Sequence, residues 1–160
     1  MRAEIPQPRG AAWAFHLCFD AQPLAIRGAL ARVVSALPEV ISTSALRIAL
    51  EIVLAEVLNN IVEHAYACSK GEIELTLWTE GEEVQVVITD QGTSMPAGEA
   101  PKGKAALPHH PDNLPEGGFG WMLIRALARD LRYNREAGSN RLAFRLTPPL
   151  SSQSNATAAG

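Results

Sequence analysis

Apolar and polar residues alternate from Trp13 to Phe19, with Trp13, Phe15, Leu17 and Phe19 on one side, which predicts a strand. Asp20 is placed to cap the next element. Pro23 falls in the first turn of a helix expected over about 22–36, with Leu24, Ala25, Leu30, Val33, Val34 and Leu37 as its apolar positions, and Pro38 closes it. Ser42 and Ser44 are N-cap candidates for a longer helix reaching about Tyr66. That helix is apolar on nearly all sides from Leu46 to Val62, the pattern of a helix buried in a core.

Period-2 alternation returns twice, at Ile73, Leu75, Leu77 and at Val84, Val86, Ile88. This predicts strands over about 72–79 and 83–89, joined as a hairpin by Glu80-Gly81-Glu82. The stretch from about Thr93 to Glu116 carries Pro96, Pro101, Pro108, Pro111 and Pro115 with Gly98 and Gly103, and reads as a long loop. Loops of more than ~12–15 residues inside a compact domain are usually functional or disordered. Gly117-Gly118-Phe119-Gly120 then opens a helix expected over Trp121–Leu131. Two strands follow, Arg132–Glu136 and Asn140–Leu146, with Gly138 in their turn. Residues 1–12 and the Ser/Ala/Asn-rich stretch 149–160 are expected to be flexible, leaving 13–148 as one folded unit. The order β-α-α-β-β-loop-α-β-β predicts an α+β fold. It is a two-layer α/β sandwich with an antiparallel or mixed sheet and its helices on one face.

Composition narrows the function classes. The chain has 160 residues, one domain's worth, with 47% hydrophobic residues and a formal net charge of −3. No clustered basic face is evident, which argues against nonspecific nucleic-acid binding. Cys18 and Cys68 stand without a C-x-x-C or a Cys/His cluster, so zinc has no support, and free thiols, buried or half-buried, are the expectation. Met1–Gly10 contains Pro6 and Pro8 and no apolar core, unlike a signal peptide. No apolar run approaches the ~20 residues that span a bilayer. A soluble cytoplasmic protein is expected.

Candidate chemistry gathers at three places. Glu56, Asn60 and His64 follow one another at four-residue spacing on the long helix, with Asn59 and Glu63 beside them. Such a stripe either faces solvent or lines a pocket for a polar ligand. In a pocket, a carboxylate can take a proton from a hydroxyl and an amide oxygen suits Mg²⁺. Asp90-Gln91-Gly92 ends a strand. It is a common turn, and also a place where a carboxylate can accept a hydrogen bond from an amino group such as adenine N6. Gly117-Gly118-Phe119-Gly120 lets backbone approach a ligand at a helix N-terminus, where N–H groups and the dipole favour phosphate. A P-loop and a G-x-G-x-x-G dinucleotide pattern are both absent.

In this order the three segments resemble the GHKL (histidine-kinase-like) ATPases. Glu56-Val57-Leu58-Asn59-Asn60-Ile61-Val62-Glu63-His64-Ala65-Tyr66 is similar to their N box, in the form found in anti-sigma-factor serine kinases of the RsbW-like type. Asp90-Gln91-Gly92-Thr93-Ser94-Met95-Pro96 resembles the G1 box, and Gly117 to Ile124 resembles the G2 box, with Trp121 where leucine is usual. The resemblance covers about residues 13–147 and implies a Bergerat-type fold with an ATP lid at about 93–116. It implies ATP and Mg²⁺ as cofactors, with Asn60 on the metal and Glu56 as general base toward a phosphoacceptor serine. Asp90 and Gly92 would lie at the adenine, with Gly118, Phe119 and Gly120 at the phosphates. Lys102, Lys104, His109 and His110 lie in the lid within reach of phosphate on this pattern, although ordinary surface charge explains them better. The implied activity is serine-protein kinase and partner-switching regulator. The implied partners are a STAS-type antagonist, a sigma factor or other target, and a second copy in a homodimer, with no nucleic acid and no membrane. A nucleotide-binding module that only sequesters its target is the alternative.

Overall fold

The computed structural model describes residues 10–42, 45–102 and 119–148. Several expectations lie outside these residues: the Ser44 cap, Gly117 and Gly118, Lys104, His109 and His110, most of the lid, residues 1–9 of the N-terminal segment and all of 149–160.

The elements are β1 (Ala14–Asp20), α1 (Pro23–Ala36), a short α2 (Glu39–Ser42), α3 (Ala45–Asn60) with a π-helical turn at Ile61–Ala65, β2 (Glu72–Glu80) and β3 (Glu83–Asp90). A 3₁₀ turn at Pro96–Gly98, α4 (Phe119–Leu127), β4 (Arg129–Glu136) and β5 (Ser139–Leu146) complete them. The five strands run in the order β1-β2-β3-β5-β4 with every neighbouring pair antiparallel. The fold is α+β, as the alternation of patterns predicted.

Register explains how a core forms. Three transverse rows cross the sheet on its helix side: Phe15–Leu77–Val86–Phe144, then Leu17–Leu75–Ile88–Leu142–Tyr133, then Phe19–Ile73–Asp90–Asn140–Arg135. The central members of the first two rows are almost fully buried and pack with Leu50, Val53, Leu54, Val57 and Leu58 of α3 and Ile124 of α4. Each large side chain so buried contributes about 1.5–3 kcal/mol. The third row turns polar after Ile73, so the sheet changes from core to candidate site within one row.

Four expectations need correction. Gln22, not Asp20, is the N-cap of α1, with extended backbone and no side-chain cap bond. The long helix is not one unit: α2 precedes it, and its last turn is π-helical. Nor is it buried all round. Ile48 is 56% and Ile52 36% exposed, because α3 packs on the sheet with α1 and α4 beside it, and its outer side is left uncovered. The last helix ends at Leu127 rather than Leu131, and β4 begins at Arg129. Leu127 and Leu131 keep helical spacing, but Leu131 and Tyr133 also alternate as a strand does. A bulge between Arg129 and Arg132, with Asp130 at φ 51°, marks where the strand pattern prevails.

Neither Cys18 nor Cys68 is in a disulfide, and both are exposed rather than buried. No helix among the described residues is long and apolar enough to cross a membrane.

Candidate functional site

The two chemistry-bearing positions of α3 come together as their spacing predicts. Gly120, in the first turn of α4, lies directly against them. A Cβ built there would run into the Glu56 carboxylate and come within 3.7 Å of Asn60 Nδ2. That Nδ2 is buried without a hydrogen-bond partner among the described residues. An unpartnered buried amide is costly in a finished interior and calls for a partner at this place. His64 does not join the pair: it falls in the π-helical turn, where four-residue spacing no longer stacks side chains, and it is exposed. Asn59 and Glu63 are exposed as well.

The end of β3 builds the second part. Asp90 is buried, and its Oδ1 accepts from Gly92 N at 2.8 Å and from Asn140 Nδ2 at 2.8 Å. Among the described residues its Oδ2 accepts nothing, which leaves one carboxylate oxygen for an outside donor. Burial raises the Asp90 carboxyl above its ordinary range, while the Asn140 and Gly92 bonds and the charge of Arg135 pull it back down in part. Gly92 is required for packing. A Cβ on it would sit 2.6 Å from the carbonyl oxygen of Ala65, and the next residue, Thr93, donates its N–H to that same oxygen at 2.8 Å. The turn after Asp90 is thereby fastened to the π-helical turn that follows Asn60.

Sequence reasoning missed the residues that hold this turn. Asn140 is only 3% exposed and acts as a hub. Beyond Asp90, its Nδ2 reaches Thr93 O at 3.1 Å and Gly92 O at 3.3 Å. Its Oδ1 accepts from Tyr133 Oη at 2.7 Å and Arg135 Nη1 at 2.6 Å. Arg135 also donates to Gly92 O at 2.8 Å, and Tyr133 Oη accepts from Met95 N at 3.0 Å. Tyr66 braces the other side, accepting from Gln91 N at 2.8 Å and donating to Glu72 O at 3.0 Å. The signal for Asn140 was available: it keeps the inward phase of Leu142, Phe144 and Leu146, and an amide in that phase needs buried partners.

Farther along, Arg125 of α4 donates to Ala100 O at 2.9 Å and Pro101 O at 3.1 Å, tying the start of the lid segment to the helix beyond it. Phe119 is 47% exposed, and Lys102 is exposed. A shallow cavity of about 460 Å³ lies elsewhere, on the helix-free face of the sheet, lined by Trp78, Val87, Arg132, Arg141 and Arg145 among others. None of the site residues lines it.

An α+β sandwich thus sets a carboxylate and an unpartnered amide nitrogen of its central helix against Gly120 in the first turn of α4, with a buried aspartate at the end of β3. The chain belongs to the histidine kinase-like ATPase domain family, whose profile matches residues 19–146. ATP is the ligand that membership implies. The chain is similar to the serine-protein kinase RsbW of Oceanobacillus iheyensis, 34% identical over 94 residues, 56% of this chain and 58% of the relative. The RsbW proteins of Bacillus licheniformis and of Bacillus subtilis strain 168 are 32% and 29% identical over 92 residues, again 56% of this chain and 58% of each relative. The match thus spans a little over half the length of these relatives.

Proposed function

We infer that this protein is an ATP-dependent serine-protein kinase and partner-switching regulator. It phosphorylates a serine on a small STAS-type antagonist and sequesters a sigma factor or a similar target, acting as a cytoplasmic homodimer. The observation that carries this reading is the contact of Gly120 with Glu56 and the unpartnered Asn60 amide, which sets a carboxylate and an orphaned polar group side by side at a helix entry.

The residues fit the cofactor set. Glycine at 120 leaves room that a Cβ would fill, and Asp90 offers a free oxygen at the sheet end. Bound ATP supplies the phosphoryl group and Mg²⁺ shields its charge. Among the described residues no group of three or more His, Cys, Asp or Glu could hold a metal. Mg²⁺ readily takes most of its ligands from phosphate and water, so a single side chain suffices. Asn60 contributes that ligand through its amide oxygen. Asp90 accepts from the adenine amino group, with Gly92 keeping the turn in place. On the family's pattern Gly118, Phe119 and Gly120 would serve the phosphates, and the segment 93–116 would be the lid. Glu56 would take the proton from the acceptor serine as its oxygen bonds to the γ-phosphorus of ATP, while the bond to the β-phosphate oxygen breaks and ADP leaves with its electron pair. A phosphoserine adds about −2 charge to the antagonist surface and weakens its docking, which frees the protein for its other target.

Titration calorimetry with ATP and Mg²⁺ tests the site. The native protein should bind saturably, and Asn60→Ala should weaken binding sharply. Glu56→Gln should keep ATP affinity and lose phosphotransfer by about 10²-fold or more. If the native protein binds ATP yet phosphorylates no STAS-type protein, the pure sequestration module replaces the kinase.

A further inference from the structure

Five large apolar side chains stand exposed among the described residues: Leu24, Val40, Ile48, Ile52 and Phe119. Single exposed apolar residues are ordinary, but clustering beside a polar site is not. Ile48 and Ile52 occupy the same four-residue row of α3 as Glu56 and Asn60. Phe119 directly precedes Gly120, the residue set against Glu56. Consecutive members of such a row stand about 5–6 Å apart, so Ile52 borders the carboxylate and Ile48 lies about 12 Å along the helix from it. The row winds from two solvent-facing isoleucines through the half-buried Glu56 to the buried Asn60 amide. Ile48 is 56% and Ile52 36% exposed, so both present part of their apolar surface to solvent.

We propose that Ile48 and Ile52, with Phe119 next to the glycine set against Glu56, form the docking surface for the phosphoacceptor. The occupant is a small folded protein whose reactive serine is flanked by exposed apolar side chains. This rests on the kinase reading of Glu56. A hydroxyl delivered to that carboxylate arrives on a body that must cover the adjoining row, and the row it covers is apolar. Loss of the two isoleucines therefore acts on acceptor capture, not on nucleotide binding or on the chemical step.

The test uses the full chain with γ-radiolabelled ATP and purified STAS-domain proteins of the same organism, assayed one at a time. Native protein, the double variant Ile48→Asp/Ile52→Asp, the conservative pair Ile48→Leu/Ile52→Leu, and Glu56→Gln are compared, each first shown by calorimetry to bind ATP. A thermal melt of each variant, run beside the calorimetry, checks that the fold survives the exchange. The aspartate pair should raise the acceptor KM by about ten-fold or more, leave kcat and the ATP affinity unchanged, and be rescued by the leucine pair. An unchanged acceptor KM in the aspartate pair, with the native protein active, would overturn the docking surface and leave the kinase standing. A fall in kcat without a change in KM would overturn it too. If the native protein and Glu56→Gln both bind ATP and neither phosphorylates any acceptor, the kinase reading fails and takes the docking surface with it.

Discussion

Two glycines at the site serve opposite ends. Gly92 faces backbone: a methyl there meets the Ala65 carbonyl at 2.6 Å, and neither partner can yield. Gly92→Ala should cost about 1–3 kcal/mol of stability, read as a lowered Tm. Gly120 faces the flexible end of Glu56, and alanine in a helix is favoured over glycine by up to about 1 kcal/mol. Gly120→Ala should therefore keep or raise Tm while the displaced carboxylate loses phosphotransfer by about 10²-fold. A variant that is both stable and fully active would remove Gly120 from the site.

Asp90 gives a pH signature at the same scale. Its carboxyl is raised above the ordinary 3.8 mainly by burial. Folding thus favours the protonated form, so the stability linked to this group is present at low pH and lost as pH rises through the folded value. The proposed adenine recognition needs the ionised form. ATP affinity should fall on acidification with a midpoint above that of an ordinary aspartate, and calorimetry between about pH 7 and 4.5 would follow it. Asp90→Asn keeps an acceptor for Asn140 and Gly92 and removes a disfavoured buried charge. Its Tm at neutral pH should not fall, while ATP affinity should.

At the scale of elements, the hairpin β4–β5 is the brace of the site. Its turn has Ala137 and Gly138 both at positive φ, which fixes the register that sets Asn140 opposite Asp90. Asn140→Leu would leave the Tyr133 hydroxyl without its acceptor and the Thr93 carbonyl without its side-chain donor, and would remove one bond each from Asp90, Arg135 and the Gly92 carbonyl. A loss of about 2–3 kcal/mol in denaturant unfolding is expected, with a weaker ATP site. Hydrogen exchange would report the Gly92 and Met95 amides opening first, and uniform opening across β3 would contradict the brace.

The sequence made the sheet readable and the brace unreadable for one reason. Strand alternation at Leu75, Ile88 and Leu142 has a single sheet solution once one face is buried. The partners of Asn140 lie 7, 5 and 50 residues away, at Tyr133, Arg135 and Asp90, and only the fold brings them to one atom pair. Glu56 and Asn60 were legible because helical spacing alone brings them together. His64 was misplaced with them because no sequence pattern announced the π-helical turn, and the outward isoleucines were misread because apolar content hides how many neighbours a helix has.

For the whole molecule, the candidate site draws on α3, α4 and β3, with the β4–β5 hairpin bracing it. ATP at about 100 times its Kd should add about 2.7 kcal/mol to the unfolding free energy as one cooperative transition, visible in scanning calorimetry. A second, unshifted transition would mean that part of the fold stands apart from the site. The sheet's other face, with Arg132 and Arg141 around Trp78 and Val87, should respond little to nucleotide.

The π-helical turn at Ile61–Ala65 amounts to one surplus residue spliced into a helix. Deleting Val62 would restore ordinary winding and a longer continuous helix. It would also swing every later side chain by about 100°, carrying the Tyr66 hydroxyl away from Gln91 and Glu72 and the Ala65 carbonyl away from Thr93. A shortened chain of this kind would gain a more regular helix and lose the fastening between helix and sheet. The irregular turn is thus the splice by which one helix carries Glu56 and Asn60 and also anchors the turn after Asp90.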